Sequence, residues 1–409
     1  MTTTKNNIPA GYKDSAVGII PQEWEVKRLG TIAKCFSGGT PKSESEEMYG
    51  GTIPFIRSGE IHSDKTALYL TDEGLSKSSA KMVDVGDLIF ALYGANSGDC
   101  AISQIIGAIN QAILCIRSSN VINPFLQPYL ELQKDRFIAK YLQGGQGNLS
   151  GEIVGSYTIP VPPMEEQRKI AEILGVWDEA IEKQNLLIEK LELRKRALMQ
   201  RLLTGKTRLH GFTEPWQKSS YSEVLKEVKR KMNWDDNEEY DLISVKRRSG
   251  GLFHRESLFG RDIKTKNLRP TLKGDFLISK MQIVHGASGL VTEEFDGMKI
   301  SGSYIALIAK YDKLVDMSFI NWYSKTPYFY HQTYVSSYGV HIEKMTFDLE
   351  SFMSMSIWLP DLPEQKAIAE VLTTADKEIA IHRKTLDALR KQKRGLMQQL
   401  LTGKTRVKI

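Results

Sequence analysis

The sequence predicts an α+β protein: two mixed domains related by internal duplication, joined by two long helices that form an antiparallel coiled coil about a pseudo two-fold. The first observation behind this is a repeat. PMEEQRKIAEILGVWDEAIEKQNLLIEKLELRKRALMQRLLTGKTR, beginning at Pro163, recurs near the C-terminus as LPEQKAIAEVLTTADKEIAIHRKTLDALRKQKRGLMQQLLTGKTR. The offset is 198 throughout, and 21 of the 43 positions in 166–208 are identical. The second is periodicity. Ile170, Leu174, Trp177, Ile181, Ile188, Leu191, Leu198 and Leu202 step by fours and threes, as do Ile368, Leu372, Ala375, Ile379, Leu386, Leu389, Leu396 and Leu400. That spacing is a heptad seam. Each helix would be about 60 Å long with a narrow apolar stripe, so each needs a partner helix, and the other copy supplies it.

Both seams are interrupted at equivalent polar positions, Gln184 with His382 and Lys195 with Lys393. Antiparallel registers that keep seam facing seam have paired residue numbers summing to 570, 577 or 584. The 577 register gathers the four polar residues into two layers and sets Ile181 against Leu396 and Leu198 against Ile379. A neighbouring register would press polar groups on Leu or Ile, at about 1–3 kcal/mol per unsatisfied group, so 577 is the expected one.

With 409 residues, 41% hydrophobic and 25% charged, the chain is ordinary for a globular protein of two or three domains. The N-terminal MTTTKNNIPAGYKDS lacks the apolar core of a signal peptide, and no run approaches the ~18 apolar residues of a membrane span. Cys35, Cys100 and Cys115 are odd in number without CxxC spacing, which argues for a reducing, cytoplasmic setting. A net charge of +6 permits an anionic partner.

In chain order, a polar N-terminus leads to Pro21, Trp24 and an apolar pattern (Val26, Leu29, Ile32, Ala33) that reads as a short helix. The loop SGGTPKSESEEMYGG follows, then strand-like runs at 52–57, 87–93 and 112–117. A helix over 125–142 and a Gly-rich loop, QGGQGNLSG, lead to a last strand and the first long helix. The pattern restarts after Gly205: Pro215 and Trp216, a helix over 222–232, a strand over 242–245. GDFLISKMQIVHGASG echoes GDLIFALYGANSG. A helix beginning near Met317 stands for the one at Phe125, and the loop SSYGVHIEK for GGQGNLSGE. The implied division is 1–162, 163–208, 209–361 and 362–409.

The segments GYKDSAVGIIPQEWEVKRLG, GGTP, IRSGEI, IPVPPMEEQRKIAEIL and LPDLPEQKAIAEVL, with LLTGKTR twice, resemble the specificity subunit of type I restriction-modification systems over essentially the whole chain. The resemblance implies two target recognition domains, each reading one half of a split double-stranded DNA site, separated by two conserved helices packed antiparallel. It also implies partners: two methyltransferase subunits and, in the full complex, two restriction subunits. The second half departs in showing no GGTP loop after its Trp. A rigid helical pair would act as a ruler between two half-sites, giving a bipartite, asymmetric target.

Catalytic motifs fail on spacing. The Gly-Lys-Thr of each LLTGKTR lacks the earlier Gly of a P-loop, Gln200 and Gln398 standing there. Gly205 and Gly403 read instead as helix C-caps, with Lys206 and Lys404 near the negative end of the helix dipole. Pro360, Asp361, Glu364 and Lys366 spell a nuclease-like string too compressed to hold a metal, and Glu364 is expected to cap a helix. Scattered histidines suit no zinc site. No cofactor loop follows a strand, and Asn123-Pro124-Phe125 reads as a helix start. The chain is therefore expected to be non-catalytic, without cofactor or metal.

For nucleic acid, the informative segment is KRRSGGLFHRESLFGRDIKTKNLR, residues 246–269, with eight Lys or Arg against two acids. Lys246, Arg247, Arg248 and Arg255 are its candidates for phosphate or guanine, a solvated basic loop being the competing reading. In the first half the candidates are Lys42, Arg57, Ser58, Gln146 and Asn148. The seam residues Ile170, Leu174, Ile181, Leu198, Ile368, Leu372, Ile379 and Leu396 carry the helix pairing. Two other functions compete: a coiled-coil scaffold that binds proteins, and an enzyme with an unrecognised site.

Overall fold

The computed structural model describes residues 8–42, 44–141 and 148–409. The chain divides into two compact units, Met1–Asn185 with Lys384–Ile409, and Leu186–Arg383. In unit 1 the strands Leu68–Leu70, Tyr49–Ile56, Gly107–Ile109 and Lys81–Val83 form one four-stranded sheet in that spatial order, and Ala33–Ser37, Ile113–Ser118, Leu88–Ala91 and Cys100–Ile102 form another. In unit 2 the first sheet is Leu252–Phe259, Glu239–Val245, Lys299–Ile300 and Arg269–Pro270. The second is Leu225–Glu227, Tyr304–Ala309, Phe276–Ser279 and Ser288–Leu290. The strand orders correspond one for one. So does the one parallel pairing found in each unit among the described residues, Ala108 with Phe55 and Leu242 with Lys299.

Leu88–Ala91 reads as an unbroken apolar run because both its faces are covered. Leu88 and Phe90 join the cluster under the helix Asn123–Tyr141, while Ile89 and Ala91 join Ile56, Val83 and Ile109 of the other sheet. Phe276–Ser279 divides likewise: Phe276 and Ile278 pack with Phe319, Leu277 with Ile243 and Val245.

Three expected helices differ. The pattern at 26–33 and that at 222–232 each give a single turn, Leu29–Ile32 and Tyr221–Val224, followed by an edge strand. Leu225 is buried and Lys226 exposed, so pairing to Tyr304–Ala309 overrides the helix propensity of this Lys/Glu-rich run. The helix near Met317 breaks into Met317–Tyr323 and Pro327–Val335. Pro327 cannot sit inside a helix but opens one well, and Thr326 caps it by accepting from the Phe329 N–H.

The long helices are Met164–Leu202 and Leu362–Leu400. Their ends belong to the cores: Ile170 and Leu174 pack with Leu396, Met397, Leu400 and Leu401 in unit 1, and Leu202 and Leu198 with Ile368 and Leu372 in unit 2. Within unit 1, Glu166 is bonded to Arg406, Asp178 to Lys393 and Asn185 to Arg390, so the two helix segments run antiparallel. Unit 2 repeats this with Glu364 and Arg208, Asp376 and Lys195, and Glu192 and Arg383.

These contacts correct the expected register. Leu174 clusters with Leu396 and Ile170 with Leu400, as Leu198 does with Leu372 and Leu202 with Ile368, pairs that each sum to 570. The longer polar side chains reach further along the helices, their partners summing to 571 for Lys393 with Asp178 and Lys195 with Asp376 and to 575 for Arg390 with Asn185 and Arg383 with Glu192. The cost charged against 570 assumed that the seam lysines stay in the seam. Instead their aliphatic stems are covered while the ammonium groups reach out to half-exposed aspartates, the ordinary behaviour of long amphipathic side chains.

The repeated Glu-Gln and TGKTR motifs are explained by one device. Gly205 and Gly403 adopt φ of 67° and 72° as helix C-caps, as expected. The turn then delivers an arginine to a fully buried glutamate at the start of the other long helix: Arg406 Nε donates to Glu166 at 2.7 Å, and Arg208 Nε to Glu364 at 2.6 Å. Glu364 is thus the buried half of an ion pair, while Asp361 caps the helix, its Oδ1 accepting from the Glu364 N–H at 3.3 Å. The neighbouring Gln365 accepts from Asp316 N–H and donates to the Leu314 and Pro360 carbonyls; Gln167 does the same for Ile122, Asn120 and Pro162. Gln365→Leu strands these backbone groups and is expected to cost roughly 2–4 kcal/mol. A fall in denaturation midpoint at constant m-value checks this; a change under 1 kcal/mol would count against it.

Candidate nucleic-acid interface

In unit 2 the strand Glu239–Val245 turns at residues 246–251 into Leu252–Phe259. Lys246, Arg247 and Arg248 all lie in this turn, exposed. Arg248 and Ser249 adopt φ of 56° and 53°, a left-handed pair that costs about 1–2 kcal/mol per residue for non-glycine side chains. The strain is held by a clamp: Arg248 N–H donates to His285 carbonyl at 2.6 Å, Ser249 N–H to Gly286 carbonyl at 2.9 Å, and the Ser249 hydroxyl meets Tyr330 Oη at 2.8 Å. Backbone strain so over-determined is the kind that gathers at functional sites. Arg247 donates to Glu343 at 2.9 Å, and the Lys246 ammonium lies 5.4 Å from the centre of the Phe253 ring.

Arg255 stands apart from this turn. Leu242 pairs with Glu256 and Ile243 with His254, leaving Arg255 as the extra residue of a β-bulge, a device that re-aims a side chain. It is ion-paired with Glu256.

In unit 1, Arg57 and Ser58 follow Tyr49–Ile56 directly, where a one-turn helix, Ser58–Glu60, begins. Arg57 is folded back on Glu60 through two bonds of 3.1 Å. Partial burial pushes the Glu60 carboxyl up, but hydrogen bonds from the Arg57 side chain and from the Ala67 and Arg57 backbone outweigh it and hold the group below the usual range. Asn96 donates to the Ser58 carbonyl at 3.1 Å. Asn148 is exposed, next to Leu149, whose N–H donates to Leu92 carbonyl. Lys42 is exposed at the end of the GGTP loop, in which a Cβ on Gly38 would lie 1.8 Å from the Ile109 carbonyl oxygen. Glycine is needed there for the loop to lie against the strand end. Gln146 lies outside the described residues.

The candidates chosen separately in the two halves occupy one topological place. Arg57 and Lys246 are each the first residue after the corresponding strand, Tyr49–Ile56 or Glu239–Val245. Each segment also meets the turn that follows the buried strand of the second sheet, at Asn96 in one unit and His285 in the other. Sequence reading missed Asn96, His285, Tyr330 and Glu343, although the echoed GANSG, HGASG and SSYGVHIEK segments contain all but Tyr330. Among the described residues no group of His, Cys, Asp or Glu is arranged to hold a metal, and no helix is long and apolar enough to cross a membrane.

The duplicated sheets, the shared position of the basic and polar loops and the repeated clamp at the helix ends define a two-part recognition protein. The family model for the type I restriction modification DNA specificity domain matches residues 21–193 and again 213–391, and the chain belongs to that family. Relatives include the type I restriction enzyme MjaVIII specificity subunit of Methanocaldococcus jannaschii, 25% identical over 414 residues, covering 95% of this chain and 94% of that one. The EcoR124I/EcoR124II specificity subunit of Escherichia coli is 27% identical over 177 residues, 41% of this chain and 44% of its own. Among solved structures, the type I restriction-modification S subunit from M. genitalium shares the fold, with a TM-score of 0.59 and 14% identity over 92% of this chain and 96% of that one.

Proposed function

We propose that this chain is the DNA-specificity subunit of a type I restriction-modification complex and catalyses nothing by itself. Its two recognition domains, 1–162 and 209–361, each read one half of a bipartite, asymmetric duplex site. The helices of 163–208 and 362–409 pair as an antiparallel coiled coil that sets the gap and docks methyltransferase subunits, two per chain, with restriction subunits joining the full complex in the cytoplasm. The observation that carries this reading is the shared place of Arg57 and Lys246: one frame, repeated, presents different side chains, as two unlike half-sites require. Lys42, Ser58, Asn148 and Arg255 are assigned to the same surfaces. Exposed Val176 and Leu193 on the first helix and Ile381 on the second support docking of partner helices there.

Alanine at Lys246, Arg247 and Arg248 together is the direct test. Each phosphate contact adds roughly 0.9 to the slope of log affinity against log salt, so the slope is expected to flatten by about 2–3 with the circular dichroism unchanged. An unchanged slope would show the turn to be merely solvated, and no salt-dependent binding of duplex DNA by the wild type would favour the protein-binding scaffold.

A further inference from the structure

Beside the basic turn, unit 2 carries a loop whose apolar side chains Tyr338, Val340 and Ile342 are exposed rather than packed in its core. Ser337 pairs with Phe347 and Tyr338 with Thr346; Phe347 is buried and its N–H donates to the Lys280 carbonyl, so the base of this small hairpin is fixed in the core. Beyond it the loop turns outward. Gly339 has φ of 152°, and a Cβ there would lie 3.0 Å from the Met345 Cα, so the tip depends on glycine. Val340 is 94% exposed, Tyr338 65% and Ile342 50%. Scattered exposed apolar residues are normal, but three in five consecutive positions of a pinned loop mark an interaction surface.

The surroundings identify what that surface meets. Glu343, in the same loop, binds Arg247 at 2.9 Å and lies 3.2 Å from His285 Nε2, tying the apolar tip to the turn that carries Lys246 and Arg248. His341 and Lys344 flank it within the loop. An apolar tip beside Lys344 and the Lys246 and Arg248 turn, with the one acid of the loop, Glu343, already paired to Arg247, complements a polyanion whose interior edges are partly apolar, which describes a DNA groove. There, aliphatic side chains recognise the thymine methyl group, while basic neighbours hold the phosphates.

We infer that Val340 is a specificity-determining residue of the second half-site, making apolar contact with a base edge, with Tyr338 and Ile342 supporting it. This rests on the function proposed above and names one base-reading residue within it. The test is modified-base sequencing of DNA from cells carrying the full chain, wild type or Val340→Ser, with its methyltransferase partner. An exposed tip residue can be exchanged without unfolding the hairpin. The serine variant is expected to relax discrimination by roughly five- to tenfold at one position of one half-site, leaving the other half-site and the spacing intact. An identical motif read with unchanged stringency overturns the inference. So does uniformly weaker methylation without a change of motif, which would make Val340 a contact to the methyltransferase. If the wild type directs no methylation to a bipartite motif, the proposed function itself has failed, and that outcome is distinct from the others.

Discussion

Arg406→Ala is expected to destabilise unit 1 by roughly 3–5 kcal/mol, the cost of leaving a buried charge without its partner. Glu166 is fully buried. Its carboxylate takes Arg406 Nε at 2.7 Å and Nη2 at 3.0 Å, and Trp24 Nε1 at 2.8 Å. Removing the guanidinium leaves one indole N–H against a full negative charge. Arg406→Lys should recover only part of the loss, since an ammonium cannot make the two-pronged contact. The double change Glu166→Gln with Arg406→Met should recover more, because the uncompensated charge itself is then gone. Denaturant unfolding followed by circular dichroism separates these cases. A loss under 1 kcal/mol for Arg406→Ala would show that the clamp matters little. The corresponding Arg208→Ala should act on unit 2 through Glu364, by the same geometry.

What the sequence made legible divides along physical lines. The duplication, the long helices and the C-capping glycines were readable because each rests on local signals: identity at fixed offset, a heptad, a left-handed residue after a helix. The Glu-Gln and TGKTR motifs were visible as motifs, but their partnership was not, since Arg406 and Glu166 stand 240 positions apart and nothing local links them. The register error has a different origin. A seam pattern reports which positions face inward but not whether a lysine stays there, and Lys195 and Lys393 leave it for Asp376 and Asp178. Helix 222–232 failed because an edge strand rich in Lys and Glu looks helical until its partner, Tyr304–Ala309, is known. Among the site residues, the basic turn could be found by charge alone. Its left-handed backbone at Arg248 and Ser249 could not, because neither residue type signals that conformation.

A half chain of residues 1–208 is expected to assemble as a homodimer. Unit 1 needs the end of a long helix to complete its core: Leu396, Met397, Leu400 and Leu401 pack with Ile170 and Leu174, and Arg406 closes on Glu166. The first repeat ends in the same residues at the same spacing, Leu198, Met199, Leu202, Leu203 and Arg208. They cannot fold back onto their own helix's start, because an uninterrupted helix, Met164–Leu202, lies between. A second copy can supply them, and in return receives the same segment from the first, so the contact closes as an isologous pair. Lys195 would take the place of Lys393 beside Asp178, retaining that ion pair. Two contacts differ: Glu192 replaces Arg390 opposite Asn185, an exchange at an exposed position that is worth a few tenths of a kcal/mol at most, and the partly buried Val407 that packs on the unit 1 core has no counterpart in a chain ending at Arg208. Light scattering on the purified fragment should therefore give twice the chain mass. Arg208→Ala in the fragment should dissociate or unfold the dimer, since there it serves Glu166 of the other copy. A stably folded monomer would mean that the helix end is not needed to complete the core, and the clamp would lose its place as the element that closes each unit.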